Sequence, residues 1–451
     1  MNMEITGLNA EELNRMGLVF IESEKPEDAL KYFDRAIGAD PGLLDSYYNK
    51  AMVYLAAGKN DEAFECYDEI LKKDSTQGEA CYQKANILLF HNGDVKAAAE
   101  LYNKAIYLGE KDEDVYYNLG LCMEAAGMEE EALKWLERAS RLNEKRADIL
   151  LKKAEVLMSL KRYTEAVRCY DRVLVLESDN EEAFHFKAIL LAEMKNYEEA
   201  LEIIDEAEKI AGVKVIFEYD RALIYESQGR YEEALSAVNK GLDIEAGNTM
   251  LIVKKGSLLT VAGNYEGAMN VFDKVSELEP DNVEGYFNKA SVHLLLGEYG
   301  EACRIYDIII EKCGEENPYK INSYYYKAMS LKDMGKHEDA KKAYQKALMN
   351  YSALSLTYTY DPQLMLLKAN TLRDMERCEE AENLYEYVLD LNKDMADAHL
   401  MRAKNYIYLG KESKAKDEIV LALLINPAFK GLVDLDRELK NILDNSDIGV
   451  V

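Results

Sequence analysis

An alanine recurs through this chain at an almost constant interval: Ala29, Ala63, Ala98, Ala132, Ala166, Ala200, Ala234, Ala268, Ala302, Ala340, Ala381 and Ala415. Nine of the eleven gaps are 34 or 35 residues, and the other two are 38 and 41. A period of this size marks a stacked array, because one such unit cannot bury its apolar face alone. The 451 residues therefore need no division into ordinary globular domains, since a stack grows one neighbour at a time.

The residues around each anchor describe the unit. Twelve residues before it stands another small residue: Gly17, Ala51, Gly120, Ala154, Ala188, Ala222, Gly256, Ala290, Ala328, Ala369 or Ala403. The third unit keeps Ala85 but carries one extra residue before Ala98, in the stretch HNGD. Two small residues at this separation suit the crossing of two helices, where a missing side chain lets the backbones approach. Four residues after the anchor comes a large side chain, among them Phe33, Tyr67, Tyr102, Leu136, Tyr170, Phe272, Tyr306, Tyr344 and Tyr385. It shares a helix face with the alanine and fills the space beside it. Glycine follows the first helix in seven units, as at Gly58, Gly127 and Gly263, where a left-handed residue closes a helix. Pro41, Pro280 and Pro427 stand after the second helix, where proline can begin a helix but not continue one.

This pattern resembles the tetratricopeptide repeat (TPR) family. The unit 113–143 matches it at Tyr116, Leu119, Gly120, Ala132, Leu136 and Ala139, with Met123 in place of the usual aromatic. The unit from Ala10 matches at Gly17, Phe20, Ala29, Phe33, Ala36 and Pro41. The resemblance covers about 10–429 and implies an all-α fold. The expected architecture is a right-handed superhelical α-solenoid of about twelve helix-turn-helix units with a C-terminal capping helix. Residues 1–9 lead in, and 10–313 hold units 1–9. An insertion occupies 314–320, and 321–429 hold units 10–12 with a further insertion near 351–361. The capping helix is expected over 430–445, where Leu432, Leu435, Leu439 and Ile442 recur at helical spacing, and 446–451 form a frayed tail. Tyr351, Tyr358 and Tyr360 either form an exposed aromatic site or pack on a lengthened second helix of unit 10.

Charge and composition narrow the function. There are 55 Lys and Arg against 84 Asp and Glu, a net charge of −29. Nucleic-acid binding through phosphates needs clustered cations, and anionic lipid repels such a surface. A basic or apolar protein partner suits it better. No stretch is apolar enough to span a bilayer, and no basic n-region precedes an apolar run at the N-terminus, so a cytoplasmic location is expected. Seven dispersed cysteines without C-x-x-C and five scattered histidines fit neither a disulfide framework nor a metal site. No phosphate-binding loop or nucleophile motif stands out, so no catalysis and no cofactor is expected.

The family resemblance assigns positions 2, 5, 9, 12 and 13 of each unit to a concave groove. Position 5 is then Tyr48, Tyr82, Tyr117, Tyr219, Phe287 and Tyr325 in six units. An aromatic stripe suits an extended peptide, because tyrosine offers broad contact at low entropic cost; the rings could equally pack on adjacent helices. Asn86 stands at position 9, while Glu124, Glu155, Glu193 and Glu226 supply carboxylates at positions 9, 12 or 13. Asp114, Asp148 and Glu182 extend that ladder at position 2. Lysine is absent from position 5, which argues against the carboxylate clamp of chaperone-binding members. The reading is a non-catalytic scaffold that binds a protein or peptide in its groove, as a monomer or weak homo-oligomer. A self-assembling solenoid is the alternative, and a regulatory subunit of an enzyme complex a more distant one.

Overall fold

The structure is a computed structural model that describes residues 8–314, 317–353 and 361–444. The chain divides into two compact units, Met1–Gln228 and Gly229–Val451. In the first unit, consecutive helices joined by short turns pack as pairs of a first and a second helix. The pairs are Ala10–Glu22 with Pro26–Ala39, Leu44–Ala56 with Asn60–Lys73, and Gly78–Ile87 with Val95–Leu108. They continue as Glu113–Ala125 with Glu129–Leu142, Ala147–Ser159 with Tyr163–Leu176, and Glu181–Glu193 with Tyr197–Ala211. Val215–Ser227 ends this unit.

The second unit starts on Tyr231–Ile244. Its pairs are Thr249–Val261 with Tyr265–Leu278, Val283–Leu295 with Tyr299–Lys312, and Pro318–Asp333 with His337–Ala353. Pro362–Asp374 with Cys378–Leu391 and Ala396–Tyr408 with Glu412–Ile425 complete it. Each unit is thus a stretch of α-solenoid, and the described residues contain no strand.

The anchor alanines are where the pairs meet. Eleven of them are fully buried, and Ala340 is 3% exposed. The large residue sixteen positions after the small residue of the first helix, seventeen in the third repeat with its extra residue, depends on which small residue that is. Gly17 and Gly256 face phenylalanines, and a Cβ at either would stand 2.4 Å from a ring carbon of Phe33 or Phe272. Where alanine stands instead, as at Ala85, Ala154 and Ala369, the partner is Tyr102, Tyr170 or Tyr385. These phenols are held by their hydroxyls. Tyr102 donates to Asn86 Oδ1 at 2.6 Å, and Tyr385 to Asn370 Oδ1 at 2.7 Å. The hydroxyl partner lies on the first helix of the same repeat, so the ring stands off enough to admit a methyl group.

The turns obey one backbone rule with two solutions. Gly58, Gly127, Gly263 and Gly297 close first helices at φ between 68° and 75°. Glu24, Lys161, Lys195 and Glu376 close others at φ 58–65°, where a Cβ costs about 1 kcal/mol. The extra residue of the third repeat is absorbed as a turn of π-helix over Leu88–Asn92, closed by Gly93 at φ 69°.

The C-terminal cap differs from the single helix expected over 430–445. It is a short helix Lys430–Leu435, a break, and a second helix Arg437–Asp444. Asp436 causes the break: its carboxylate accepts the backbone N–H of Glu438 at 3.0 Å and of Leu439 at 3.2 Å. The break changes which side chains face inward. Val433 and Leu439 are buried in the last cluster with Ile419 and Ala422. Leu432 and Leu435, expected to cover that edge, are 52% and 87% exposed. Tyr351 packs at 5% exposure beside Ile321 and Ala347, which removes it from any exposed aromatic site; Tyr358 and Tyr360 lie outside the described residues.

Candidate peptide-binding groove

Tyr48, Tyr82 and Tyr117 occupy the same position on three consecutive first helices of the first unit, and all three are half-buried. The inner part of each ring rests on core. Tyr48 meets Tyr67 with ring centroids 6.1 Å apart, and Tyr82 meets Tyr102 at 6.0 Å. The guanidinium of Arg146 lies 5.7 Å from the Tyr117 ring. Burial pushes the Tyr48 hydroxyl up to about 12, and it raises those of Tyr82 and Tyr117 as well. These hydroxyls stay protonated at neutral pH and can donate. Packing and groove lining are therefore not exclusive here, since each ring has a covered part and an open one.

The acidic ladder carries its own counter-ions. Lys152 Nζ lies 3.5 Å from Glu124 and also bonds Glu155. Arg146 spans Asp114 and Asp148, meeting Asp148 at 2.6 Å. Four carboxylates thus share two cations, and a net negative charge is left on this face. Glu193 is exposed. Asn86 is engaged within the fold: besides Tyr102, its Oδ1 accepts from Asn118 Nδ2 at 3.0 Å. Tyr219 and Glu226 are half-buried on the last helix of the unit.

In the second unit, position 5 is half-buried at Phe287 and buried at Tyr325. Phe287 sits among Tyr306, Tyr319 and Tyr326 at centroid distances of 5.9, 5.4 and 5.6 Å. Tyr325 is 4% exposed and meets Tyr326 and Tyr344 at 5.2 and 5.9 Å. Tyr325 belongs to the core and offers no open face. Half-open rings at this position on three consecutive first helices occur in the first unit.

Two features escaped the sequence reading. The first is a ladder between repeats: a cation just before the small residue of one first helix pairs with an aspartate on the preceding second helix. Lys50 meets Asp34 at 2.7 Å, Lys84 meets Asp68 at 2.5 Å, Lys187 meets Asp171 at 2.6 Å and Arg221 meets Asp205 at 2.7 Å. Lys289 with Asp273 and Lys327 with Asp307 repeat it in the second unit. The aspartates are half-open to solvent, so each pair contributes about 0.2–1 kcal/mol, but the same pair recurs at successive interfaces. The signal was a lysine or arginine before most of the small residues.

The second feature is a buried acid on the last helix of the first unit. Asp220 is fully buried and bonds His185 Nδ1 at 2.7 Å. Burial raises its carboxyl above the usual value of 3.8, although His185 works the other way. A folded-state pKa above the unfolded one means that the native state takes up the proton first. Stability from this group is therefore gained as pH falls through the raised value and lost as pH rises through it. Asp220→Asn should remove that dependence, which can reach about 1.4 kcal/mol per pH unit within the window. Urea titrations of both proteins across weakly acid pH check this; parallel curves would refute it.

A family model described as Tetratricopeptide repeat matches residues 14–79, 48–114 and 366–407. One described as Anaphase-promoting complex, cyclosome, subunit 3 matches 91–173, 163–241 and 262–347, more than half of the chain. An NADPH oxidase activator of Dictyostelium discoideum is 28% identical over 116 residues, which is 26% of this chain and 18% of that protein. A TPR repeat-containing protein of Methanocaldococcus jannaschii is 27% identical over 128 residues, 28% of this chain and 22% of that one. The chain thus spans about a fifth of the length of these curated relatives. Among solved structures, YrrB, a TPR protein with an unusual peptide-binding site, is 25% identical with a TM-score of 0.38, covering 41% of this chain and 95% of its own. Yeast Tom70 is 18% identical with a TM-score of 0.46, covering 97% of this chain and 99% of its own. No described helix is long and apolar enough to cross a membrane.

Proposed function

Because the chain belongs to the tetratricopeptide repeat family, we propose that it is an interaction scaffold whose first unit holds an extended, basic segment of a partner protein. The observation that carries this reading is the row Tyr48, Tyr82 and Tyr117, three half-open rings at one position of three consecutive first helices. Successive rings along a stack suit a peptide that runs across the repeats rather than a compact ligand. The surplus of carboxylates around Arg146 and Lys152 favours a basic segment, and complementarity of this kind raises association rate and specificity more than affinity. The proposed chemistry is binding without catalysis, by a monomer or weak homo-oligomer in the cytoplasm.

The test is affinity capture from the native cell with mass spectrometry, run beside a Tyr82→Ala/Tyr117→Ala/Glu155→Gln variant. Truncating two aromatic anchors is expected to weaken capture by roughly 2 kcal/mol or more. Retained capture by a variant with an unchanged helical spectrum would sink the groove reading. Light scattering over a concentration series separates it from self-assembly.

A further inference from the structure

We propose that a cation-lined cleft in the second unit binds an acidic segment of a partner, through side-chain carboxylates. This inference rests on the second unit alone and stands whether or not the first unit binds a basic peptide. The cleft has a volume of about 360 Å³ and lies where first helices turn into second ones. Lys332, His337, Lys341, Arg373, Tyr344 and Tyr408 line it, with Asp374 and Glu376 as its acids. A smaller space of about 200 Å³ shares Lys332, Arg373 and Tyr408 and adds Lys404 together with the acids Asp333 and Glu438, so the excess of cations belongs to the larger cleft.

Its charge runs against the whole chain, whose net charge is −29. The repeat shows that this is no packing requirement. Lys332 and Arg373 occupy position 12 of two adjacent repeats, while other repeats carry Leu55, Leu89, Glu124, Met158, Leu294 or Ile407 there. Position 12 varies along the stack, and these two adjacent repeats are the ones that carry a cation there; variation at a position that packing does not fix points to a ligand.

Arg373 strengthens the point. Its side chain is 8% exposed, and the Asp374 carboxylate takes one edge of the guanidinium, at 3.1 Å from Nε and 2.9 Å from Nη2. Nη1 reaches only the Tyr385 hydroxyl at 3.5 Å and Met401 Sδ at 3.4 Å. A buried guanidinium normally satisfies all its donors strongly. Elsewhere in the unit Lys289, Lys312, Lys327 and Lys404 are tied to aspartates. Among the described residues, Lys332 and Lys341 make no ion pair, and both are exposed at the rim. Tyr408, 57% exposed, adds an aromatic wall for an apolar neighbour of the acid. A carboxylate meets this mixed site better than a doubly charged phosphate, because Asp374 and Glu376 already offset part of the positive charge.

Calorimetric titration of the full chain tests the proposal. The probe is an acetylated, amidated peptide, Leu-Glu-Glu-Leu-Asp-Glu, compared with its Gln/Asn counterpart and with inorganic phosphate. The acidic peptide is expected to bind and the amide counterpart not. In Lys332→Glu/Lys341→Glu, binding should weaken by about tenfold or more, with helix content and thermal midpoint unchanged because both residues are exposed. No binding of the acidic peptide to the wild type, or equal binding by the charge-reversed variant, would overturn the proposal. So would phosphate binding tighter than the peptide. If the charge reversal instead alters the sedimentation of the protein alone, the occupant is a second copy and the proposal falls.

Discussion

Arg402→Ala is expected to unravel the C-terminal end of the second unit, at a cost of about 3 kcal/mol. Arg402 joins three helices. It donates to Glu382 at 2.6 and 3.0 Å, across to the preceding repeat, and to Glu418 at 3.3 Å on its own second helix. Glu418 also faces buried His399 at 2.5 Å, and the Tyr406 hydroxyl donates to Glu382 at 2.5 Å. The side chains of Arg402, Glu382, Glu418 and His399 are between 10% and 17% exposed. Deleting the cation would leave two mostly buried carboxylates facing each other's field with less compensation, which costs far more than losing a surface pair. Because a solenoid's stability is a sum of repeat and interface terms, the loss should appear first at the end.

Hydrogen exchange reads this directly: amides of Glu412–Ile425 should lose protection while those of Thr249–Val261 keep theirs. Uniform loss, or none, would contradict the argument. The pH dependence has a definite sign. Burial alone would raise the Glu382 carboxyl, but bonds from Arg402, Tyr406 and Asn405 outweigh it and hold it below 4.5. Its folded pKa is depressed, so this stability is present above the unfolded value and lost as pH falls through the folded one. In Arg402→Ala that acid-side loss should shrink.

Gly256→Ala is expected to destabilise the second unit by about 1–3 kcal/mol, although alanine is the better helix former. The new methyl would stand 2.4 Å from Phe272 Cε1 and 2.5 Å from Cζ, inside any tolerable contact, and Phe272 is 1% exposed with nowhere to go. The chain contains its own remedy. Ala188 and Ala403 face Ile204 and Ile419 at the equivalent place. In Gly256→Ala/Phe272→Ile the two changes should therefore couple favourably, with the double variant less destabilised than the sum of the singles by roughly 1 kcal/mol. Urea unfolding of the four proteins in the cycle measures the coupling; strict additivity would show that the clash is relieved elsewhere.

Much of this was legible in the chain, for a reason tied to repetition. The anchor alanines and their small partners recur because every interface must solve the same packing problem, and twelve solutions printed in series expose the rule. The interface cations Lys50, Lys84, Lys187, Lys289 and Lys327 were equally periodic, but their partners lie on the preceding second helix. Reading that pairing requires knowing which face of one repeat meets the next. The groove residues were harder. Tyr48 and Tyr325 hold the same position in the period, yet the first is half-open and the second is core. Neighbours decide that difference, since Tyr325 is closed over by Tyr326 and Tyr344.

By itself, then, the sequence determined the unit: two helices, an alanine at their crossing, and a stack long enough to bury its own apolar face. Period and residue size suffice for that, because steric fit at a helix crossing is local. The tertiary structure decided everything that depends on which side chains from different repeats share a space. It placed Arg146 and Lys152 among the carboxylates of Asp114, Glu124, Asp148 and Glu155, broke the cap at Asp436 and turned Val433 inward. It also gathered Lys332, Lys341 and Arg373, which lie on three helices, into one cleft. Charge and exposure are set by neighbours in space, and only the folded chain brings those neighbours together.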